Sequence, residues 1–137
     1  MKKPKPVRRA KAASSTPPRA VFVVDDNVAL SKLAALVLES AGYKVRHFSD
    51  PKAVLKAIHD ANPKPCLLVT DYEMDGMNGV ELIRSSHKVH PDLKTLLVSG
   101  SVDASIMILH PGEVHRFLGK PYEPAQLRNI VAELLTT

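Results

Sequence analysis

The chain has a single cysteine, Cys66, so no internal disulfide can form, which fits a reducing compartment. A small buried hydrophobe in a strand is expected at that position, not a reactive thiol. No apolar run approaches the roughly 18 residues that a bilayer-crossing helix requires. No apolar stretch follows the basic N-terminus as a secretory signal would demand. A cytoplasmic protein with no membrane partner is therefore expected. Internal repeats are also lacking. Acidic residues are absent from positions 1–19, where Lys2, Lys3, Lys5, Arg8, Arg9, Lys11 and Arg19 contribute seven positive charges. Beyond them 12 basic residues face 14 acidic ones, so the rest of the chain sums to −2 although the whole carries +5. Residues 1–19 are rich in Pro, Ala and Ser, hold too little apolar surface to fold, and read as a basic disordered tail. No aromatic side chain is interleaved there for base stacking, so nucleic acid is not an expected partner. Contact of the tail with an anionic polymer stands as an alternative function.

What remains is one domain, residues 20–137, in a chain of 137 residues that is 45% hydrophobic and long enough to bury a core. Strand-like and helix-like segments alternate along it. Ala20–Val24 is a short continuous apolar run, as a strand covered on both faces requires. Leu30, Leu33, Ala34, Val37, Leu38 and Ala41 recur at helical spacing until Gly42 stops the pattern. Tyr43–Phe48 reads as a second strand. Asp50 and Pro51 open a helix reaching about Ala61. Cys66–Thr70 is a third strand ending at Asp71. Asn78 and Glu81 form a capping box before Val80, Leu82 and Ile83. Thr95–Val98, a short helix over Ser101–His110, a strand over Val114–Leu118 and a helix over Pro124–Leu135 complete the chain. Five βα units with short connections imply an α/β fold, a doubly wound parallel sheet with helices on both faces.

In such sheets ligands bind beyond the carboxyl ends of the strands. The residues at those ends are Asp25 and Asp26, then Asp71, Ser99 and Lys120. Three carboxylates brought together repel, and cations must compensate them. Mg²⁺ (or Mn²⁺) with Lys120 would balance three negative charges, and magnesium accepts oxygen ligands while keeping several waters. Neutralising the moving group is the main task in phosphoryl transfer. Lys120 and the Ser99 hydroxyl suit the remaining phosphoryl oxygens, and Asp71 suits the nucleophile.

Four elements carry a family resemblance: Val-Val-Asp25-Asp26-Asn27; Leu68-Val69-Thr70-Asp71 followed by Met74 and Gly79; Leu97-Val98-Ser99-Gly100; and Lys120-Pro121-Tyr122. In that order, each closing an expected strand, they resemble the receiver domain of two-component response regulators across residues 20–135. The resemblance implies a flavodoxin-like (βα)5 fold with strand order 2-1-3-4-5. It implies that Asp71 is the phosphoacceptor and a metal ligand. Asp26 would bind the metal directly, Asp25 through water, and Glu73 through its backbone carbonyl. Ser99 and Lys120 would hold phosphoryl oxygens, Phe117 would be the switch aromatic, and the bond to Pro121 would be cis. Glu73 and Ser101 occupy positions that tune phosphoryl lifetime. The implied donor is a histidine kinase or histidine phosphotransfer protein, and the implied target is a further protein. The chain would be a signalling domain rather than an enzyme, assisting only its own phosphorylation and dephosphorylation. It would act alone, as a monomer or a phosphorylation-dependent dimer. A receiver-fold scaffold indifferent to phosphorylation is the other alternative.

Other readings fail on the residues. A calcium loop starting at Asp71 would need a Glu at its twelfth position, where Leu82 stands. An aspartate-nucleophile phosphatase would need Asp-x-Asp after the first strand, and a dinucleotide fold a Gly-rich first turn. His47, His59, His87, His90, His110 and His115 read as solvated side chains. Asp75 stands where the family commonly has proline, which adds negative charge near the metal.

Overall fold

Five strands, β1 (Ala20–Val24), β2 (Lys44–Phe48), β3 (Leu67–Asp71), β4 (Lys94–Ser99) and β5 (Arg116–Gly119), form one sheet in the computed structural model of the chain. Every pairing is parallel and the order is β2-β1-β3-β4-β5, the doubly wound, flavodoxin-like arrangement. The structure describes residues 19–136, so the tail expected over 1–19 lies, apart from Arg19, outside the described residues. Successive strand residues point to opposite faces. One face, with Val21, Val23, Val69, Leu96 and Val98, packs against Leu38 of helix α1 (Val28–Ser40) and Leu127 and Val131 of helix α5 (Pro124–Thr136). The other, with Phe22, Val24, Leu68 and Leu97, packs against Val54 and Ile58 of α2 (Pro51–Asp60) and Leu82 and Ile83 of α3 (Gly79–Val89). Because both faces are covered, β1 and β3 are apolar almost throughout.

The helix starts follow their capping residues. Asn27 accepts from the Leu30 amide at 3.2 Å, Asp50 from that of Lys52 at 3.2 Å, and Asn78 and Glu81 bond each other's amides at 2.9 Å. Three expectations need correction. The core face of α1 is Ser31, Ala34, Ala35 and Leu38, whereas Leu30 and Leu33 stay exposed beside Val28 and Leu36. That helix is apolar around most of its circumference, so periodicity alone did not select the buried side. The helix expected over Ser101–His110 shrinks to α4 (Ile106–Leu109). The Ser99 hydroxyl takes the amides of Ser101 and Val102 at 3.0 and 3.1 Å, and Asp103 takes that of Ser105 at 2.9 Å. Side-chain oxygens thus satisfy the backbone groups that a first helical turn would have oriented. Strand β5 begins at Arg116 rather than Val114, whose amide closes a turn on the His110 carbonyl.

Only His47 and His59 match the solvated reading of the histidines by exposure. His87 and His90 bond the carbonyls of Leu93 at 2.9 Å and Pro65 at 2.7 Å. His110 lies 3.3 Å from Glu113, which also pairs with Arg84. His115 accepts from the Thr95 amide at 3.0 Å. Cys66 is half-buried just ahead of β3, and its thiol donates to the Ala20 carbonyl at 3.2 Å. Burial pushes that thiol up in pKa, which keeps it protonated and inert.

Candidate functional site

The carboxyl ends of all five strands are each tied to a neighbour by the backbone. The Asp25 amide bonds the Phe48 carbonyl at 3.1 Å, that of Tyr72 bonds Val98 at 2.9 Å, and that of Lys120 bonds Ser99 at 2.8 Å. Parallel register sets Asp71 against Val98 and Ser99 against Gly119. Residues separated by up to 95 positions therefore meet at one edge.

Asp71 ends β3 and is only 6% exposed. Lys120, just past β5, extends its ammonium to 3.0 Å from Asp25 Oδ2 and 3.1 Å from Asp71 Oδ1. The approach to Asp71 neutralises charge without hydrogen-bond alignment, so Oδ1 is a buried oxygen with no hydrogen-bond donor. Burial pushes the Asp71 carboxyl above its usual pKa; Lys120 opposes that rise, and the charges of Asp25 and Glu73 add to it. Burial works against the Lys120 charge, but Asp25 and Asp71 outweigh it and hold its pKa above the ordinary value. Asp25 Oδ1 also accepts the Asn27 amide at 2.9 Å, which orients the acidic turn.

Carboxylate oxygens of Asp25, Asp26 and Asp71 all lie within 4.8 Å of one another. A hexacoordinate ion at about 2.1 Å from each ligand separates ligand oxygens by roughly 3 to 4 Å. The donor set is all oxygen, and one member is a buried oxygen lacking a donor. These residues fit a small hard divalent cation.

Two loops close over this edge. Gly79 lets α3 approach from below: a Cβ there would sit 2.5 Å from the Asp71 carbonyl oxygen and 2.7 Å from Leu97. Its amide bonds the Tyr72 carbonyl at 2.8 Å. Across the site, the Ser101 hydroxyl donates to the exposed Glu73 carboxylate. Each of those two positions stands out in sequence, but their bond, over 28 residues, depends on how the loops after β3 and β4 meet. Ser99 is buried and accepts two amides through Oγ. Phe117 is half-buried on β5 among the cluster that includes Ile106 and Met107. The Lys120–Pro121 bond is cis. Beside Asp71 and Lys120 opens a cleft of about 370 Å³ lined by Leu30, Leu33, Val37, Tyr122 and Pro124. Sequence reasoning missed this cleft because helical spacing does not tell which of Leu30, Leu33 and Val37 faces the core.

Among the described residues no helix is long and apolar enough to cross a membrane. The family model for the response regulator receiver domain matches residues 21–132. The chain is 32% identical over 116 residues to the sensor kinase CckA of Brucella abortus (strain 2308), a match covering 84% of this chain and 12% of that protein. It is 28% identical over 115 residues to the response regulator receiver protein CpdR of the same organism, covering 83% of this chain and 92% of that one. The chain thus spans a small part of the first relative and most of the second. Among solved structures, a CheY-like receiver domain protein from Methanospirillum hungatei JF-1 superposes with a TM-score of 0.79 at 26% identity, covering 87% of this chain and 94% of that chain. With an acidic edge built on this sheet and a family match over most of its length, the chain belongs to the response regulator receiver domain family of two-component signalling.

Proposed function

We propose that the chain takes a phosphoryl group from a phosphohistidine onto Asp71 and thereby switches a protein-binding surface. The observation that carries this reading is the Asp71 carboxylate itself. It is buried, one oxygen lacks a donor, and two further carboxylates and one lysine surround it. In the transfer the N–P bond breaks with its electron pair returning to the imidazole, and a carboxylate oxygen of Asp71 forms the new O–P bond. Asp26, Asp25, Asp71 and the Glu73 carbonyl are the residues proposed to hold Mg²⁺ or Mn²⁺. When bound, that ion supplies positive charge against the phosphoryl oxygens. Lys120 binds one of those oxygens and draws charge off Asp71. The Ser99 hydroxyl, whose oxygen accepts two amides and whose proton faces the Ser101 hydroxyl at 3.3 Å, would turn that proton to another.

The same two amide bonds give the switch its lever. Turning Ser99 toward a phosphoryl group pulls on the Ser101–Ser105 segment that leads into α4, and Phe117 packs beside that helix. The two states need differ by only a few kcal/mol for the added charge to select one. Glu73 and Ser101, bonded across the mouth, stand where attacking water must pass and set the lifetime of the acyl phosphate. The donor, a histidine kinase or histidine phosphotransfer protein, docks on the apolar surface of α1, where Leu33 is 55% and Leu36 62% exposed next to the cleft. The output is contact with another protein. No separate substrate is turned over.

Incubating the protein with phosphoramidate tests the reading. Label uptake is expected with Mg²⁺, and its loss with a chelator or with Asp71→Asn. Undiminished labelling of Asp71→Asn would remove Asp71 from this role.

A further inference from the structure

The edge of the sheet opposite Asp71, at the amino ends of the strands, carries charge of the other sign. A groove of about 620 Å³ there runs between β2 and the segment after α2. Arg19, Lys44, Arg46 and Lys64 line it, and no acidic residue does. The Arg46 guanidinium stacks 5.2 Å from the centre of the Phe22 ring and 5.1 Å from that of Phe48. Stacking holds its plane and leaves its edge of N–H donors open, since Arg46 is exposed. Lys64 is anchored on the carbonyls of Ile58 and His59, both at 2.9 Å. Among the described residues none of these four cations forms an ion pair with a carboxylate. Asp60, which lines the adjoining depression with Arg46, is already paired with Lys56 at 2.6 Å.

The chain enters the fold at this groove. Residues 1–18 bring Lys2, Lys3, Lys5, Arg8, Arg9 and Lys11 with no acid, and Arg19 joins them to the groove wall. The four cations of the groove thus form a basic region on a domain whose remainder is net acidic, and six more precede it in sequence. We infer that this region binds the phosphodiester backbone of nucleic acid without sequence preference, at the end of the molecule remote from the phosphoacceptor. Two of the four groove cations, Arg19 and Arg46, are arginines, whose planar forks match phosphate oxygens. The shortage of aromatics, which argued against nucleic acid from sequence, now limits recognition to the backbone. A flat lipid surface fits less well, because the groove is concave and none of the exposed large hydrophobics lines it.

Fluorescence anisotropy of labelled mixed-sequence single-stranded and duplex oligonucleotides, titrated with the full chain, tests the inference. Binding is expected to weaken steeply with salt, the logarithm of affinity falling linearly against that of salt concentration. Lys44→Gln with Arg46→Gln, residues 1–18 intact, should bind about tenfold more weakly and with a shallower slope. Lys44→Glu alone, at an exposed side chain, should show the same trend, and unchanged phosphoramidate labelling of Asp71 would verify the fold of each variant. No binding at low salt would overturn the inference. So would variants that bind like the parent, or competition by polyglutamate or phosphatidylserine vesicles stronger than by unlabelled oligonucleotide.

Discussion

Gly79 has no room for a side chain. The Asp71 carbonyl and Leu97 stand within 2.7 Å of where a Cβ would be, and the carbonyl belongs to strand backbone that cannot yield. Gly79→Ala should therefore destabilise the domain by about 1–3 kcal/mol, the usual cost of overpacking, and displace Asp71. Urea unfolding with an unchanged m-value would measure the first effect, and slower phosphoryl uptake the second. Charge at the site is balanced on the same scale. Asp71 and Asp25 share Lys120, and each lies about one hydrogen-bond length from its ammonium. The lysine thus balances charge at the site before any phosphoryl group arrives. Its charge opposes the burial that raises the Asp71 pKa.

At the scale of elements, the β4–β5 edge contains a group that must stay neutral. His115 Nδ1 accepts from the Thr95 amide at 3.0 Å, and His87 meets its ring edge-on at 5.9 Å. Burial first, then the charges of His87 and Lys94, hold the His115 pKa below 6.5. The unfolded chain binds that proton more readily, so stability is fully present above about 6.5 and is lost as the pH falls through the lower folded value. The Tm should drop between about pH 7 and pH 5 by calorimetry, and His115→Asn, an acceptor that does not titrate, should flatten part of the drop. The loop into α4 shows the opposite balance. Ser99 and Asp103 hold amides that a longer helix would have claimed, so Ser101–Ser105 stays non-helical and Ile108 is 80% exposed. A segment tied to Ser99 by two bonds is suited to move with that side chain.

Across the whole molecule, the alternation of buried strands and amphipathic helices made the doubly wound sheet legible. A buried parallel strand must be apolar on both faces, as Ala20–Val24 is throughout and β3 is over residues 67–69. The polar residues ending those strands made Asp25, Asp26, Asp71, Ser99 and Lys120 legible, because topology alone brings strand ends together. What sequence did not show depends on three-dimensional choice. The side of α1 that faces the core, the bond between Ser101 and Glu73, and the buried contacts of His87, His90 and His115 are each decided by packing between distant segments. The basic groove is a further case, since Arg19, Lys44, Arg46 and Lys64 come from three separate stretches of chain. The molecule thus has two poles, an acidic edge at the carboxyl ends of the strands and a basic one at their amino ends. The chemistry of the acidic pole can be read from the protein directly. The measurement is mass spectrometry of the intact protein and its peptides after treatment with phosphoramidate and Mg²⁺. One added phosphoryl group is expected on the peptide containing Asp71, removable by hydroxylamine as an acyl phosphate is. A phosphoryl group found on a histidine or serine instead, or none at all, would contradict that expectation.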